Sequence, residues 1–136
     1  MGQDEKLVDQ VSIAVFSIDE SLKLYRDILG FPLVCIEEVP SEKVRVAILS
    51  ARDTRIELLE PTSKDSPISG FLEKRGEGVH HIAYRVEDID KEIQKLSAQG
   101  VRFIEPLVRN GSEGAKIAFI HPKSAHGVLT EIVERK

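Results

Sequence analysis

The 136-residue sequence contains one cysteine, one methionine and no tryptophan. With Cys35 alone, an internal disulfide is excluded and a reducing, cytoplasmic setting is the default expectation. No apolar run approaches the roughly 20 residues that a membrane-spanning helix requires, so no membrane partner is expected. The polar start at Met1–Lys6 does not have the pattern of a secretory signal or a transit peptide. Aromatics are few, five Phe and two Tyr, and 19 Lys and Arg against 23 Asp and Glu leave a net charge of −4 with the signs interspersed. Without a basic stripe, nucleic-acid binding has no basis. What is present is a globular composition, 41% apolar with nine glycines, of a length suited to a single domain, 1–136.

The strongest internal signal is a repeat. Gln10-Val-Ser-Ile-Ala-Val15 aligns with His81-Ile-Ala-Tyr-Arg-Val86, and the same offset carries Ile18-Asp19 onto Ile89-Asp90 and Val46-Ala-Ile-Leu49 onto Ile117-Ala-Phe-Ile120. After a short insertion in the second half, Glu57-Leu-Leu-Glu60 falls on Glu131-Ile-Val-Glu134. Identities are few, yet the order of patterns recurs over nearly the whole chain. Two modules follow, residues 6–60 and 78–135, joined by a connecting segment.

Each module reads as strand, helix and three strands. In the first, a strand at Val8–Val15 precedes Ser17-Ile-Asp-Glu20, a capping-box pattern. Ile18, Leu22, Tyr25 and Leu29 then recur at helical spacing up to Gly30, and strands follow at about Pro32–Glu38, Val44–Ser50 and Arg55–Glu60. The second has a strand at Val79–Val86 and a helix from Asp88 to Gly100. Its later strands are expected at about Arg102–Pro106, Lys116–His121 and Val128–Glu134. Between the modules, Ser66-Pro67 and Gly76 bracket a short helix over 66–76. The fold class is therefore α+β: two tandem βαβββ modules forming a curled mixed sheet around a cleft. Strand alternation places Val11, Ile13, Val15, Ile82, Tyr84 and Val86 under the helices, and Gln10, Ser12, Ala14, His81, Ala83 and Arg85 on the opposite, bare face.

In a duplicated fold Gln10 is equivalent to His81, and Glu57 to Glu131. Each module thus contributes one residue of its first strand and one carboxylate of its last. An amide oxygen, an imidazole and two carboxylates suit a divalent transition metal, and the two carboxylates balance its charge. The other candidates have plainer readings. Glu60 and Glu134 are expected to be solvated, His80 a buried partner, His121 and His126 polar loop residues, and Cys35 an inert strand residue. Lys116 and Lys123 carry only a weak phosphate signal.

Several runs resemble the methylmalonyl-CoA epimerase family of the vicinal-oxygen-chelate (glyoxalase) superfamily. They are Ile56-Glu-Leu-Leu-Glu-Pro61, Asp65-Ser-Pro-Ile68, Phe71-Leu-Glu-Lys-Arg-Gly-Glu-Gly-Val-His-His-Ile82, Ala118-Phe-Ile-His-Pro-Lys-Ser124 and Gly127-Val-Leu129. The resemblance spans the chain. It implies interconversion of (R)- and (S)-methylmalonyl-CoA, a homodimer, and a divalent metal, cobalt foremost with manganese, nickel or zinc accepted. It also implies that His81 and Glu131 match metal ligands, that Glu57 matches a ligand position held by Glu or Gln, and that Glu131 moves the proton. Gln10 departs from the family, which usually has histidine there, whereas glutamine is familiar among glyoxalase I enzymes. Some epimerases carry a second acid on the third strand, where this chain has Val46. Two alternatives share the fold: a glyoxalase I-like lactoylglutathione lyase and a non-catalytic drug-binding protein.

Overall fold

The computed structural model describes residues 5–136; the polar stretch Met1–Asp4 discussed above lies outside the described residues. The chain forms two compact units, one of Gln10–His80, the other of the segment ending at Asp9 together with His81–Lys136. Among the described residues, no helix is long and apolar enough to cross a membrane.

The first unit contains most of β1 (Leu7–Ala14), then α1 (Ile18–Leu22), β2 (Leu33–Val39), β3 (Val44–Ala51), β4 (Thr54–Pro61) and α2 (Pro67–Arg75). Its strand order is β2-β3-β4-β1, antiparallel except for the β4–β1 pair, which is parallel. Ile18 and Leu22 of α1 pack with Val15, Ala47, Leu49 and Leu58 on one face of this sheet. On the other face, Ile68 and Leu72 of α2 pack with Ala14, Val44, Val46, Ile48 and Leu59. The face expected to be bare is thus covered at one end, since the connecting helix folds back onto it. This helix is bracketed as predicted: Ser66 Oγ accepts from the Ile68 N–H (3.2 Å), Pro67 opens it and Gly76 ends it with φ of 75°.

The second unit contains most of β5 (Gly78–Arg85), then α3 (Ile89–Ala98), β6 (Arg109–Asn110), β7 (Lys116–Ile120) and β8 (Thr130–Glu134). Its order, β5-β8-β7-β6, again has one parallel pair, β5 with β8. Val86, Ile89, Ile93, Ala118, Ile120 and Ile132 form the core beneath α3, and Ala83, Ala115, Ile117 and Val133 a smaller cluster on the other face. The expected α+β organisation, βαβββ twice, is the observed one. Of the residues placed under the helices, Ile13, Val15 and Val86 pack there, whereas Val11, Ile82 and Tyr84 are only half-buried.

Several local expectations are corrected. The first helix does not run evenly to Gly30: after Leu22 it widens into a π-helical stretch over Lys23–Ile28, with the Leu29 N–H donating to Leu24 O (2.8 Å). The wider turn shifts the apolar stripe, and Leu29, the last residue at helical spacing, is 53% exposed. Only half of the capping box forms, because Ser17 Oγ accepts from Glu20 N–H (3.1 Å) while the Glu20 carboxylate pairs with Lys23 (2.9 Å). The strand expected at Arg102–Pro106 is reduced to an isolated bridge between Phe103 and Ile120. Pro106 has no N–H to extend the ladder, and pairing with β7 resumes only at Arg109. Strand β8 begins at Thr130 rather than Val128, the preceding residues being drawn into a turn in which Val128 N–H donates to Ala125 O (3.1 Å).

Glu60 and Glu134 are not solvated strand ends. Glu60 Oε1 accepts from Ile18 N–H (2.7 Å), and Glu134 Oε1 from Ile89 N–H (2.9 Å). In each module the last strand therefore supplies a carboxylate to the start of the helix, satisfying an otherwise orphaned donor at the positive end of the helix dipole.

The second unit also buries Asp9 completely. Arg135 Nη2 donates to its Oδ2 (2.6 Å), and Arg85 Nη2 lies 2.9 Å from its Oδ1. Burial alone would push this carboxyl up, but the hydrogen bonds and charges of Arg135 and Arg85 outweigh that and hold it below the usual carboxylate range.

Candidate metal and acid/base site

In the first unit, β1 and β4 run parallel with Ser12 opposite Glu57, so Gln10, two residues earlier, shares a sheet face with Glu57. Gln10 Nε2 donates to Glu57 Oε1 and to Ser12 Oγ, both at 3.2 Å. In the second unit, β5 and β8 run parallel with Ala83 opposite Glu131, which brings in His81 by the same two-residue step. His81 Nε2 lies 3.0 Å from Glu131 Oε1. The two pairs thus occupy the same register in their respective sheets, the geometrical counterpart of the sequence repeat.

All four side chains are withdrawn from water: Gln10 is 4% exposed, Glu57 3%, His81 6% and Glu131 3%. A carboxylate at such depth is costly unless a donor or cation meets it. The Gln10 amide donates to Glu57, and the His81 imidazole lies beside Glu131. Among the described residues, no group of three or more His, Cys, Asp and Glu side chains is gathered as a metal site; the assembled element is the pair, one in each unit. Both pairs have donors of the kinds that divalent transition metals accept, namely carboxylate oxygen, amide oxygen and imidazole nitrogen.

Ser12, Phe119 and Arg109 were not singled out from the sequence. Ser12 follows from strand parity with Gln10. Phe119, directly across from Glu131, turns its ring edge-on to His81, with centroids 5.3 Å apart and planes at 86°. Arg109 lies over the same ring, its guanidinium carbon 5.2 Å from the Phe119 centroid. The remaining candidates stand apart from the pairs. His80 is half-buried, edge-on to Phe71 at 5.1 Å, and His121 Nδ1 accepts from Lys123 N–H (3.1 Å). His126 lies in a turn with φ of 55°, Cys35 packs half-buried against the core, and Val46 is buried in the apolar cluster under α2.

The fold agrees with comparison to known proteins. The chain belongs to the Glyoxalase/Bleomycin resistance protein/Dioxygenase superfamily, whose sequence profile matches residues 9–119. Its similar relatives include proteins named methylmalonyl-CoA epimerase, and the chain is an enzyme of that isomerase class. The mitochondrial methylmalonyl-CoA epimerase of Dictyostelium discoideum is 36% identical over 94% of this chain and 78% of its own length. A methylmalonyl-CoA epimerase solved in complex with methylmalonyl-CoA and NH4+ superposes with a TM-score of 0.91 at 38% identity, covering 95% of this chain and 94% of that one. The chain is also 43% identical to the uncharacterised protein YqjC of Bacillus subtilis, over 95% of this chain and 92% of the relative.

Proposed function

We propose that this protein interconverts (R)- and (S)-methylmalonyl-CoA by removing and returning the C2 proton, with 1–136 acting as one vicinal-oxygen-chelate domain. The observation that carries the reading is the register-matched pairing of a buried carboxylate with the Gln10 amide in one unit and with the His81 imidazole in the other. The likeness to epimerases over most of the chain supports the substrate.

Gln10, Glu57, His81 and Glu131 are the residues that would hold a divalent metal, cobalt foremost, with manganese, nickel or zinc also compatible. When bound, such an ion supplies Lewis-acid stabilisation for the negative charge that develops as C2–H is broken. Glu131 is the proton carrier in this reading. Its carboxylate is desolvated, and the 3.0 Å contact to His81 Nε2 fixes its orientation. Ala83 and Phe119 lie directly across from Glu131 on the neighbouring strands, and it is 3% exposed. The buried, apolar Val46 supplies no second acid, so delivery of a proton to the opposite face of C2 falls to a group other than that strand position.

The test is hydrogen–deuterium exchange at C2 of methylmalonyl-CoA in D2O, on protein whose metal content is measured in parallel. Wild-type protein should exchange the C2 proton and interconvert the two forms. Glu131→Gln keeps shape and an oxygen donor but removes the base, and should lower the rate by about 10²–10⁴-fold, with metal content reduced far less. Wild-type protein without exchange, or a Glu131→Gln variant keeping more than about half its turnover, contradicts the assignment.

A further inference from the structure

We infer that Ser12 is a positioning residue: it holds the amide nitrogen of Gln10, so that the amide oxygen is the atom offered to a cation. This rests on the assignment of Gln10 as a metal donor above. A glutamine side chain ends in an oxygen that attracts a cation and an NH2 group that repels one, and a half-turn about the last bond exchanges them. Something must therefore choose the orientation if Gln10 is to serve as a donor. Ser12 is two residues further along β1, on the same face, and sits opposite Glu57 across the β1–β4 pair. Gln10 Nε2 donates to Ser12 Oγ and to Glu57 Oε1, both at 3.2 Å. Two acceptors thus meet the two N–H bonds, and the oxygen, which diverges from the nitrogen, is turned away from both.

Glu57 alone does not secure this orientation. It is itself assigned as a metal donor, so a bound cation competes with the amide for its charge. Ser12 lies outside the donor set and keeps its hold when the cation arrives. Its residue is fully buried, which shields the bond from competing water. The repeat supplies an internal comparison. Ala83 is the equivalent of Ser12: it comes two residues after His81, lies opposite Glu131 and is also fully buried. An imidazole presents a ring nitrogen whichever way it is turned, and its half of the chain has no hydroxyl at this position. The hydroxyl occurs in the half that carries the amide. Alanine at the equivalent position also indicates that Ser12→Ala is a small change for the strand.

The experiment titrates the metal-free full-length chain with cobalt by calorimetry, alongside Ser12→Ala, Gln10→His, Gln10→Ala and the Ser12→Ala/Gln10→His double variant, with thermal melts confirming folding. Loss of an orienting partner implies that Ser12→Ala weakens cobalt binding by about tenfold when Gln10 is present. In the Gln10→His background, where there is no amide to orient, the same substitution should change binding by less than about twofold. A second readout needs no metal: in 15N–1H spectra, the Gln10 side-chain NH2 signals, identified by their absence from Gln10→His, should move upfield in Ser12→Ala as one N–H loses its acceptor. Equal weakening in both backgrounds assigns Ser12 to packing and overturns the inference, as do unmoved NH2 signals or unchanged affinity. If Gln10→Ala loses cobalt while Ser12→Ala keeps it, the Ser12 inference falls and Gln10 stands as a donor. If wild-type protein binds no cobalt, or Gln10→Ala binds it as tightly as wild type, the donor assignment and the inference fall together. Proton exchange at C2 by the wild type tests the epimerase reading separately.

Discussion

A carboxylate with no solvent exposure persists only where its charge is matched, and Asp9 is matched by Arg135 and Arg85. Arg135 also donates from Nη1 to Ser112 O (3.2 Å), so the network ties β1 and β5 to the turn before β7 and to the C-terminal end of the chain. Removing the carboxylate charge leaves two guanidiniums beside a neutral group in a desolvated position. Asp9→Asn should therefore cost about 3 kcal/mol of stability, read from urea midpoints at neutral pH. The pH dependence has a definite sign. Because the folded-state pKa of Asp9 lies below 3.8, its contribution is complete above that value and is lost as pH falls through the lower, folded-state pKa. The stability gap between wild type and Asp9→Asn should hold steady at mildly acidic pH and close only below 3.8. A gap that closed near neutrality would implicate a different group.

Helices α1 and α3 each start against a glutamate of their own module's last strand, and this arrangement makes a prediction about elements rather than residues. Glu60→Ala and Glu134→Ala should each destabilise by about 1 kcal/mol, the usual worth of an N-terminal cap, and Gln at either position should restore part of it by keeping an oxygen acceptor. Thermal melts of the four variants check this, and unchanged midpoints would mean that water replaces the carboxylates at no cost. These caps mark the boundary of what the sequence made readable. Ser17, Ser66 and Asp88 are local caps, visible because donor and acceptor lie within three residues of one another. Glu60 and Glu134 act across 42 and 45 residues, and looked like ordinary charged strand ends. The Gln10–Glu57 and His81–Glu131 pairs were readable despite similar separations, because strand parity and the repeat constrain them together. The π-helical stretch after Leu22 was not, since helical spacing continues through Tyr25 and Leu29 and only the hydrogen bonds reveal the shift. Phe119 sits in the apolar run Ile117-Ala-Phe-Ile120 with nothing to set it apart, and Arg109 lies on a strand of two residues, too short to leave an alternating pattern.

Duplication gives each half of the molecule one carboxylate paired with an amide or an imidazole, and the charges decide how many cations such a protein holds. A single pair offers a divalent ion one negative charge and two side chains, leaving a surplus positive charge in a desolvated setting. Both pairs together offer two negative charges and four donors, which neutralises the ion and suits a transition metal with positions left for a chelating substrate. We therefore expect one divalent cation per chain rather than one per half. Titration of metal-stripped protein with cobalt should saturate at one equivalent, and binding to the folded state should raise stability by about 2.7 kcal/mol at a free concentration one hundred times Kd. His81→Ala and Glu57→Ala come from different units, yet each should abolish most of the cobalt-induced rise in melting temperature. His81→Ala leaves the buried Glu131 carboxylate without its neighbour and should itself lower the melting temperature of the metal-free protein, so the rise on adding cobalt is measured from each variant's own metal-free value. If the two pairs instead acted separately, the wild type would take up two equivalents and each variant would keep one, with half of the thermal shift preserved. The two outcomes differ in stoichiometry and in melting behaviour, so neither readout depends on catalytic activity.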